Sequence, residues 1–393
     1  MNAACLGSFD PITVGHLDLI KRALTMFDKV FVAIGVNEEK HGLFTVDKRL
    51  AFIRNAISLP KYGIDASRVV VTSFRGLAAD FMLSNDISVT VRGIRDSKDY
   101  DYEHPMALIN RDIANIESIF IPSDPNHSTI SSSNVKALVK SFIDVSSMVP
   151  LEVKFNLEAY LLDFVYVGVV GRSGSGKSTF TKKYFPDLTI DYDSIVKSLW
   201  DDKATSSMRI KMLGEFGNIH SALVKSTDVV NKDELRKFLG DADNNKLIRN
   251  IMKPYIESLA RVKLKQMHDS IVSRTQTTRD YNLGIGIRNH KISEDIPDIR
   301  DLINLYPYKN FVALDAPMLI EYGNLGLVNN NVIHIDTPYD VCVNRIMKRD
   351  KLTQEQVESR LNSQLSGDNI AYQIGYKQAK DGFGTYAKYT SEK

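Results

Sequence analysis

Twice in this chain a short apolar run passes through a glycine-punctuated loop into a helical pattern, and this restricts the fold more than any other feature. The first instance is Ala3-Ala4-Cys5-Leu6, the loop from Gly7 to Gly15, and a helix whose apolar positions Leu17, Ile20, Leu24 and Phe27 recur at helical spacing. The second is the run Val165 to Val170, the loop from Gly171 to Gly176, and a helix reaching about Tyr184. They lie about 160 residues apart, one domain length, and share no detectable sequence repeat. In the first half, Val30–Val36, Val69–Phe74, Val89–Val91 and Ile119–Ile121 read as buried strands. They alternate with helical patterns at Asp47–Ile57, Leu77–Leu83, Asp99–Ala114 and Asn134–Phe142. Strand–helix alternation implies a mostly parallel sheet covered on both faces, so the fold class is α/β with two such domains.

The second half continues with strands at Leu188–Ile190, Phe311–Leu314 and Val332–Ile335. Its long helix, Asn244 to about Ser273, contains Pro254, which predicts a kink or break. Thr353 with Gln356 three residues later is a capping-box start for Gln354–Gln364. Leu151–Leu162 reads as the last helix of the first domain and runs almost directly into the strand at Val165, which sets the domains at 1–162 and 163–393. Arg274–Ile303 is polar and charged and reads as a surface insertion, and the tail from Gly367 to 393 reads as a loose terminus.

Composition narrows the function. Fifty Lys+Arg against 48 Asp+Glu, interspersed, leave a formal charge of +2, and a nucleic-acid binder would need a concentrated basic face. Cys5 and Cys342 are the only cysteines, which excludes a disulfide framework or a zinc site and points to a reducing compartment. The longest apolar stretch, around Phe164–Val170, is too short to span a bilayer, and there is no secretory pattern at the N-terminus. The expectation is a cytoplasmic enzyme with no membrane or nucleic-acid partner.

Gly171-Arg172-Ser173-Gly174-Ser175-Gly176-Lys177-Ser178 satisfies G-x-x-x-x-G-K-[ST] between a strand and a helix. A triphosphate needs successive backbone N–H groups aimed inward, a helix N-terminus behind them, a lysine for the β/γ oxygens and a hydroxyl for Mg²⁺. Gly171, Gly174, Ser175, Gly176 and Thr179 form the cradle, Lys177 is the cation and Ser178 the Mg²⁺ ligand. One strand later, Asp193 is placed to accept a proton from an acceptor hydroxyl, with Asp191 as a further metal ligand; the competing reading of Asp193 is a cap for Ile195–Trp200. Asp315 ends another apolar strand, and Arg345, Arg349 and Arg360 fall on two helices that could bring a cation, Arg349 first, onto the phosphates; on most helices such arginines are simply solvated.

The loop Gly7-Ser8-Phe9-Asp10-Pro11-Ile12-Thr13-Val14-Gly15-His16 has no lysine, but Thr13 and His16 can present donors at a helix N-terminus. Lys40, Arg92-Gly93-Ile94-Arg95 and Ser131-Ser132-Ser133 all fall at strand ends or helix starts, the side on which ligands of open α/β sheets converge. A ring of fixed donors of this kind suits the charge that builds up on a phosphate in transfer.

These residues resemble bacterial phosphopantetheine adenylyltransferase, together with Asp101-Tyr102-Glu103, Met106-Ala107, Asn110 and Ile130 to Lys136, over nearly all of residues 1–160. The resemblance implies a Rossmann-like nucleotidylyltransferase fold and attack of a pantetheine phosphate on the α-phosphorus of ATP. It implies that His16 and Ser8 contact the transferring phosphate and that Lys40 and Arg92 hold the pantetheine phosphate. Phe9, Thr13, Arg95, Glu103 and Ser131–Ser133 would line the nucleotide site. The second half resembles dephospho-CoA kinase through the loop at Gly171, Asp191-Tyr192-Asp193, the run from Asp315 to Glu321, and Arg345 to Gln364. This implies γ-phosphate transfer to a ribose 3′-hydroxyl with Asp193 as base. Lys253-Pro254 stands where that family has His-Pro, Val196-Lys197 where it has Ala-Arg, and its C-terminal Ala-Asp…Asn element is not recognisable.

The product of the first reaction is the acceptor of the second, so the two resemblances reinforce each other. The leading expectation is a bifunctional coenzyme A synthase with ATP, 4′-phosphopantetheine and dephospho-CoA as small-molecule substrates, Mg²⁺ as cofactor, and self-association through the first domain. Two alternatives stand: an active adenylyltransferase joined to a degenerate, regulatory kinase-like half, and an NMN adenylyltransferase joined to a ribosylnicotinamide kinase. The latter would be expected to show His-x-Gly-His where this chain has Thr13-Val14-Gly15-His16.

Overall fold

The computed structural model describes residues 1–390 apart from 38, 40, 201–206, 227–228, 275–277, 317–318 and 321–322. It divides into two compact units, Met1–Asp163 with Gly375–Gly384, and Phe164–Ile374 with Thr385–Lys393.

The first unit holds strands β1 (Asn2–Gly7), β2 (Lys29–Val36), β3 (Val69–Arg75), β4 (Ile87–Ile94) and β5 (Glu117–Pro122). All pair in parallel in the order β3-β2-β1-β4-β5. The chain winds outward from β1 to β3, then crosses to β4 on the other side of β1. The switch in direction opens a crevice beyond the carboxyl ends of β1 and β4, where ligands of such sheets bind. Ala3, Ala4 and Cys5 of β1 are buried, as a central strand covered on both faces requires. Helices α1 (Val14–Ala23), α2 (Val46–Ser58), α3 (Ala78–Ser84), α4 (Ser97–Ala114), α5 (Ser132–Lys140) and α6 (Leu151–Leu161) follow the strands. In α1 Leu17, Ile20 and Ala23 face the core, and Thr13 caps its start.

The second unit is built on β6 (Phe164–Val170), buried along its whole length, and β7 (Thr189–Asp191). Between and after them lie α7 (Lys177–Tyr184) and α8 (Tyr192–Trp200). A helical section follows: α9 (Ser207–Ile219), the short antiparallel pair β8 (Val224–Ser226) and β9 (Val229–Val230), α10 (Lys232–Phe238) and α11 (Ala242–Arg274). It has its own core, in which Met212, Leu213, Phe216, Leu223, Ile248, Met252 and Tyr255 are buried together. Next come α12 (Thr278–Asp295), α13 (Arg300–Leu305), β10 (Asn310–Asp315), β11 (Val332–Asp336), α14 (Tyr339–Asp350), α15 (Gln354–Asn362), α16 (Gly367–Asp381) and β12 (Tyr386–Thr390). The sheet order is β12-β11-β6-β10-β7, again parallel throughout.

Three expectations are corrected. Of the kink or break expected at Pro254, the break is absent: one helix runs from Ala242 to Arg274, with Met252 and Tyr255 on either side of the proline anchored in the helical core. The stretch read as a surface insertion is packed inward over its later part: Ile285, Ile292 and Asn289 are buried, and the Asn289 amide donates to the carbonyls of Pro307 and Lys309 at 2.9 and 3.0 Å. As far as Thr390 the tail forms α16 and the edge strand β12, which pairs with β11 from Val332↔Tyr386 to Asp336↔Thr390. Polar composition hid that strand, since an edge position buries only Ala387 fully. Among the described residues no helix is long and apolar enough to cross a membrane.

Candidate active sites

In the first unit a cavity of about 320 Å³ opens at the β1/β4 switch point, and Ser8, Phe9, Thr13, His16, Arg92, Arg95, Glu103 and Ser131–Ser133 all line it. Lys40 lies outside the described residues. The helix start fixes His16. The Thr13 N–H donates to Nδ1 of His16 at 3.0 Å, and the His16 N–H returns to the Thr13 hydroxyl at 3.4 Å. A backbone N–H can only donate, so Nδ1 is unprotonated and the neutral ring carries its proton on Nε2. Burial first, then the charges of Arg95 and Arg92, push the imidazole down to about 4. His16 is therefore a neutral donor at physiological pH. Phe9 is buried and meets the His16 ring edge-on at 5.1 Å, so its side chain supports the histidine.

Both arginines of the β4 end are clamped by carboxylates from α4. Arg92 forms a two-point pair with Glu103 and also donates to the carbonyl of Leu6. Arg95 holds Asp99 with Nε at 2.8 Å and an NH2 at 2.9 Å, which keeps the Asp99 carboxyl below its usual range. Bidentate pairing fixes the guanidinium planes before any ligand arrives. The serines divide their work. Ser131 caps α5 by accepting from the Asn134 N–H at 3.0 Å, and Ser132 donates to the carbonyl of Pro11 at 2.7 Å.

Several residues that sequence reasoning did not single out shape this site. Asp10, after which the peptide to Pro11 is cis, accepts from the Leu43 and Phe44 N–H groups at 2.6 and 3.1 Å. Buried Arg49 donates to the carbonyl of Ser8 at 2.7 Å. Asp99, Asp18, Arg22, Asp124 and His127 also line the cavity. The spacing Arg95 to Asp99, one helical turn, was the available signal for the first of these.

In the second unit the loop after β6 has positive φ at Gly171, Gly174 and Gly176. A Cβ on Gly174 would lie 2.8 Å from the Cys342 carbonyl, so the loop packs too closely for any other residue. Lys177 donates from Nζ to the carbonyls of Gly171 and Arg172 at 2.8 and 3.1 Å. Burial lowers its proton affinity, while Asp315 and Asp193 raise it and Arg349 lowers it further. Asp315 pairs in register with Asp191 on β7. Burial pushes its carboxyl up to about 6; Asp191 and Asp193 add to this, and Lys177 and a hydrogen bond with Ser178 oppose it. The fold thus gathers Lys177, Ser178, Asp191, Asp193, Asp315 and Arg349 around one point.

The cap of α8 is not Asp193. Asp191 accepts from the Ser194 N–H at 2.9 Å, leaving Asp193 in the first helical turn. Ser175 is buried and its hydroxyl faces no partner among the described residues, so it offers the loop its backbone; Thr179 is exposed in the first turn of α7. Arg349 is held by Asp350 at 2.7 and 2.8 Å, and Arg345 donates to the carbonyls of Gly174 and Ser175 at 3.3 Å. Pro317, Met318 and Glu321 lie outside the described residues.

Comparison with known proteins finds relatives for both halves of the chain. The cytidylyltransferase-like family profile matches residues 4–138, and the dephospho-CoA kinase profile matches residues 296–372. A phosphopantetheine adenylyltransferase from Frankia casuarinae is 45% identical over 148 residues, covering 38% of this chain and 90% of that protein. One from Clostridium perfringens is 41% identical over 157 residues, covering 40% of this chain and 92% of the relative. A solved dephospho-CoA kinase from Campylobacter jejuni aligns with 22% identity and a TM-score of 0.26 over 57% of this chain and 88% of its own. Through its first unit, with the switch-point cavity and its clamped arginines, the chain belongs to the phosphopantetheine adenylyltransferase family, and it carries a dephospho-CoA kinase domain behind it.

Proposed function

We propose that the chain makes coenzyme A in two ATP-dependent steps. The first unit joins an adenylyl group to 4′-phosphopantetheine, releasing pyrophosphate, and the second phosphorylates the ribose 3′-hydroxyl of the resulting dephospho-CoA. The observation that carries this reading is the arrest of His16 as a neutral Nε2–H donor between two fixed arginines. In adenylyl transfer the attacking phosphate oxygen meets the α-phosphorus and negative charge grows on the equatorial oxygens. His16, Ser8 and Arg92 stand to stabilise that charge without giving up a proton. Arg95, Glu103, Thr13 and the N-terminus of α5 with Ser131–Ser133 receive the nucleotide, and Lys40 holds the acceptor phosphate.

In the second unit Lys177 and the loop N–H groups take the β- and γ-phosphates, and Asp193 accepts the proton of the 3′-hydroxyl as it attacks. The donor set fits Mg²⁺: burial raises the Asp315 carboxyl, Asp191 and Asp193 beside it add to the rise, and a cation would relieve the repulsion among the three. Ser178 and Asp191 would hold the ion, which when bound neutralises phosphate charge. The charge of Arg349 acts on Lys177, which supports a role for it on the transferred group. The adenylyltransferase corresponds to Met1–Asp163 with Gly375–Gly384, and the kinase to the remainder. Self-association, if it follows the family, has a surface in α4, which buries none of its residues and exposes Tyr102 and Ile113.

Mass spectrometry of products from the full chain with Mg-ATP and 4′-phosphopantetheine tests the reading. Coenzyme A is the expected product. Arrest at dephospho-CoA, with more of it added, would favour the regulatory alternative for the second half, and absence of pyrophosphate release would overturn the whole assignment.

A further inference from the structure

The carboxamide of Gln364, just beyond α15, grips the tip of the phosphate loop. The Ser173 N–H donates to its Oε1 at 2.9 Å, and its Nε2 donates back to the Ser173 hydroxyl at 3.2 Å. Neighbouring bonds reinforce the grip. Arg172 donates from Nε to the Leu365 carbonyl at 3.2 Å and lies over the Tyr339 ring at 5.4 Å. Tyr339 in turn donates to the Asn362 side chain at 3.3 Å.

The position of this contact along the loop gives it meaning. Lys177, the cation for the β- and γ-oxygens, rests on the carbonyls of Gly171 and Arg172, the two residues immediately before Ser173. Ser173 therefore marks the end of the cradle nearest the terminal phosphate. A side chain from another element fixes that end through the Ser173 N–H and hydroxyl, so the loop N–H groups that follow meet an anion in a set orientation. Gln364 shares the α14–α15 hairpin with Arg345, on the Gly174 and Ser175 carbonyls, and with Arg349, whose charge reaches Lys177.

We propose that Gln364 is a positioning residue of the kinase step: it holds the loop tip in the phosphate-receiving form and senses the terminal phosphate of the bound nucleotide. This rests on the kinase reading of the second unit. An amide suits the task because it is uncharged and satisfies both Ser173 groups at once. A carboxylate at the same place could keep both contacts, since the Ser173 hydroxyl can turn to donate, but it would put a negative charge beside the incoming γ-phosphate.

The test uses the full chain with Gln364→Glu and Gln364→Ala, assayed for phosphorylation of dephospho-CoA. The readouts are KM for ATP and the inhibition constant of ADP in that step, with adenylyl transfer on the same preparations as the control for folding. Gln364→Glu is expected to raise KM for ATP at least about tenfold and to change ADP inhibition less than about threefold. Gln364→Ala should raise KM for ATP by a smaller factor, with adenylyl transfer unchanged in both. Equal weakening of ATP and ADP would reduce Gln364 to a brace for the loop and overturn the sensing role, as would no change in either. If the unaltered chain adenylylates but never phosphorylates dephospho-CoA, the kinase reading fails and this role fails with it.

Discussion

Replacing Asp315 by Asn should stabilise the second unit while crippling its chemistry. Asp315 is 5% exposed, and burial, helped by Asp191 and Asp193, lifts its carboxyl from the ordinary 3.8 to about 6. A folded state that binds the proton more tightly than the unfolded chain loses stability as pH rises from 3.8 through 6, and above that the loss is constant. At roughly 1.4 kcal/mol per pH unit, keeping this carboxylate ionised at pH 8 costs about 3 kcal/mol, and at pH 5 about half of that. Asparagine retains an oxygen to accept from Ser178 and carries no charge. The variant should therefore melt higher at pH 8, by ~6–12 °C for a unit of this size, with the gain shrinking towards pH 5. Thermal unfolding of the full chain at both pH values measures this. Phosphorylation of dephospho-CoA should fall at least about tenfold and adenylyl transfer should not change, an instance of stability given up for function. A variant no more stable than the parent at pH 8, or equally favoured at both pH values, would show that Asp315 is not ionised against its surroundings and would refute the reasoning.

Asp193→Asn should lower the turnover of dephospho-CoA phosphorylation by about 10²–10⁴, with adenylyl transfer intact and products stopping at dephospho-CoA in mass spectrometry. Gly174→Ala, with φ at 77° and its Cβ against the Cys342 carbonyl, should disable the kinase step and lower the melting temperature of the second unit. The His16 ring, followed by NMR in the free enzyme, should stay neutral at pH 6 and titrate near 4. Because its folded affinity for the proton is depressed, His16 contributes stability above pH 6.5 that is lost as pH falls towards 4; a midpoint near 6.5 would contradict the buried, arginine-flanked setting.

The parts of the fold that are legible in the sequence are those with strong local signals. The apolar strands on either side of both glycine loops, and the capping box Thr353/Gln356, appear where periodicity and cap chemistry place them. The lines of the structure that were not legible depend on pairing over distance. β12 is polar because it is an edge, and only its register against β11 makes it a strand. The first site was legible by position, since residues at strand ends converge at a switch point whatever their sequence separation. What sequence spacing did not reveal is which polar groups are spent on one another: Arg92 on Glu103, Ser132 on the carbonyl of Pro11, Asp191 on the cap of α8.

Those pairings separate two electrostatic designs for handling ATP. The first unit neutralises its cations in advance, with Arg92 and Arg95 each bound by an α4 carboxylate and His16 held uncharged, so an incoming triphosphate meets oriented donors with modest net charge. Orientation, fixed before binding, then supplies the stabilisation. The second unit does the reverse. It leaves Asp191, Asp193 and Asp315 near one lysine whose own proton affinity burial reduces, a charge pattern that is costly when empty and favourable once a divalent cation and phosphates complete it. On the proposed reading the first site would gain little stability from Mg²⁺ alone, whereas the second sets carboxylates against one another in a way that a bound cation would relieve. That difference is what makes Asp315 the residue at which stability and catalysis are most directly opposed.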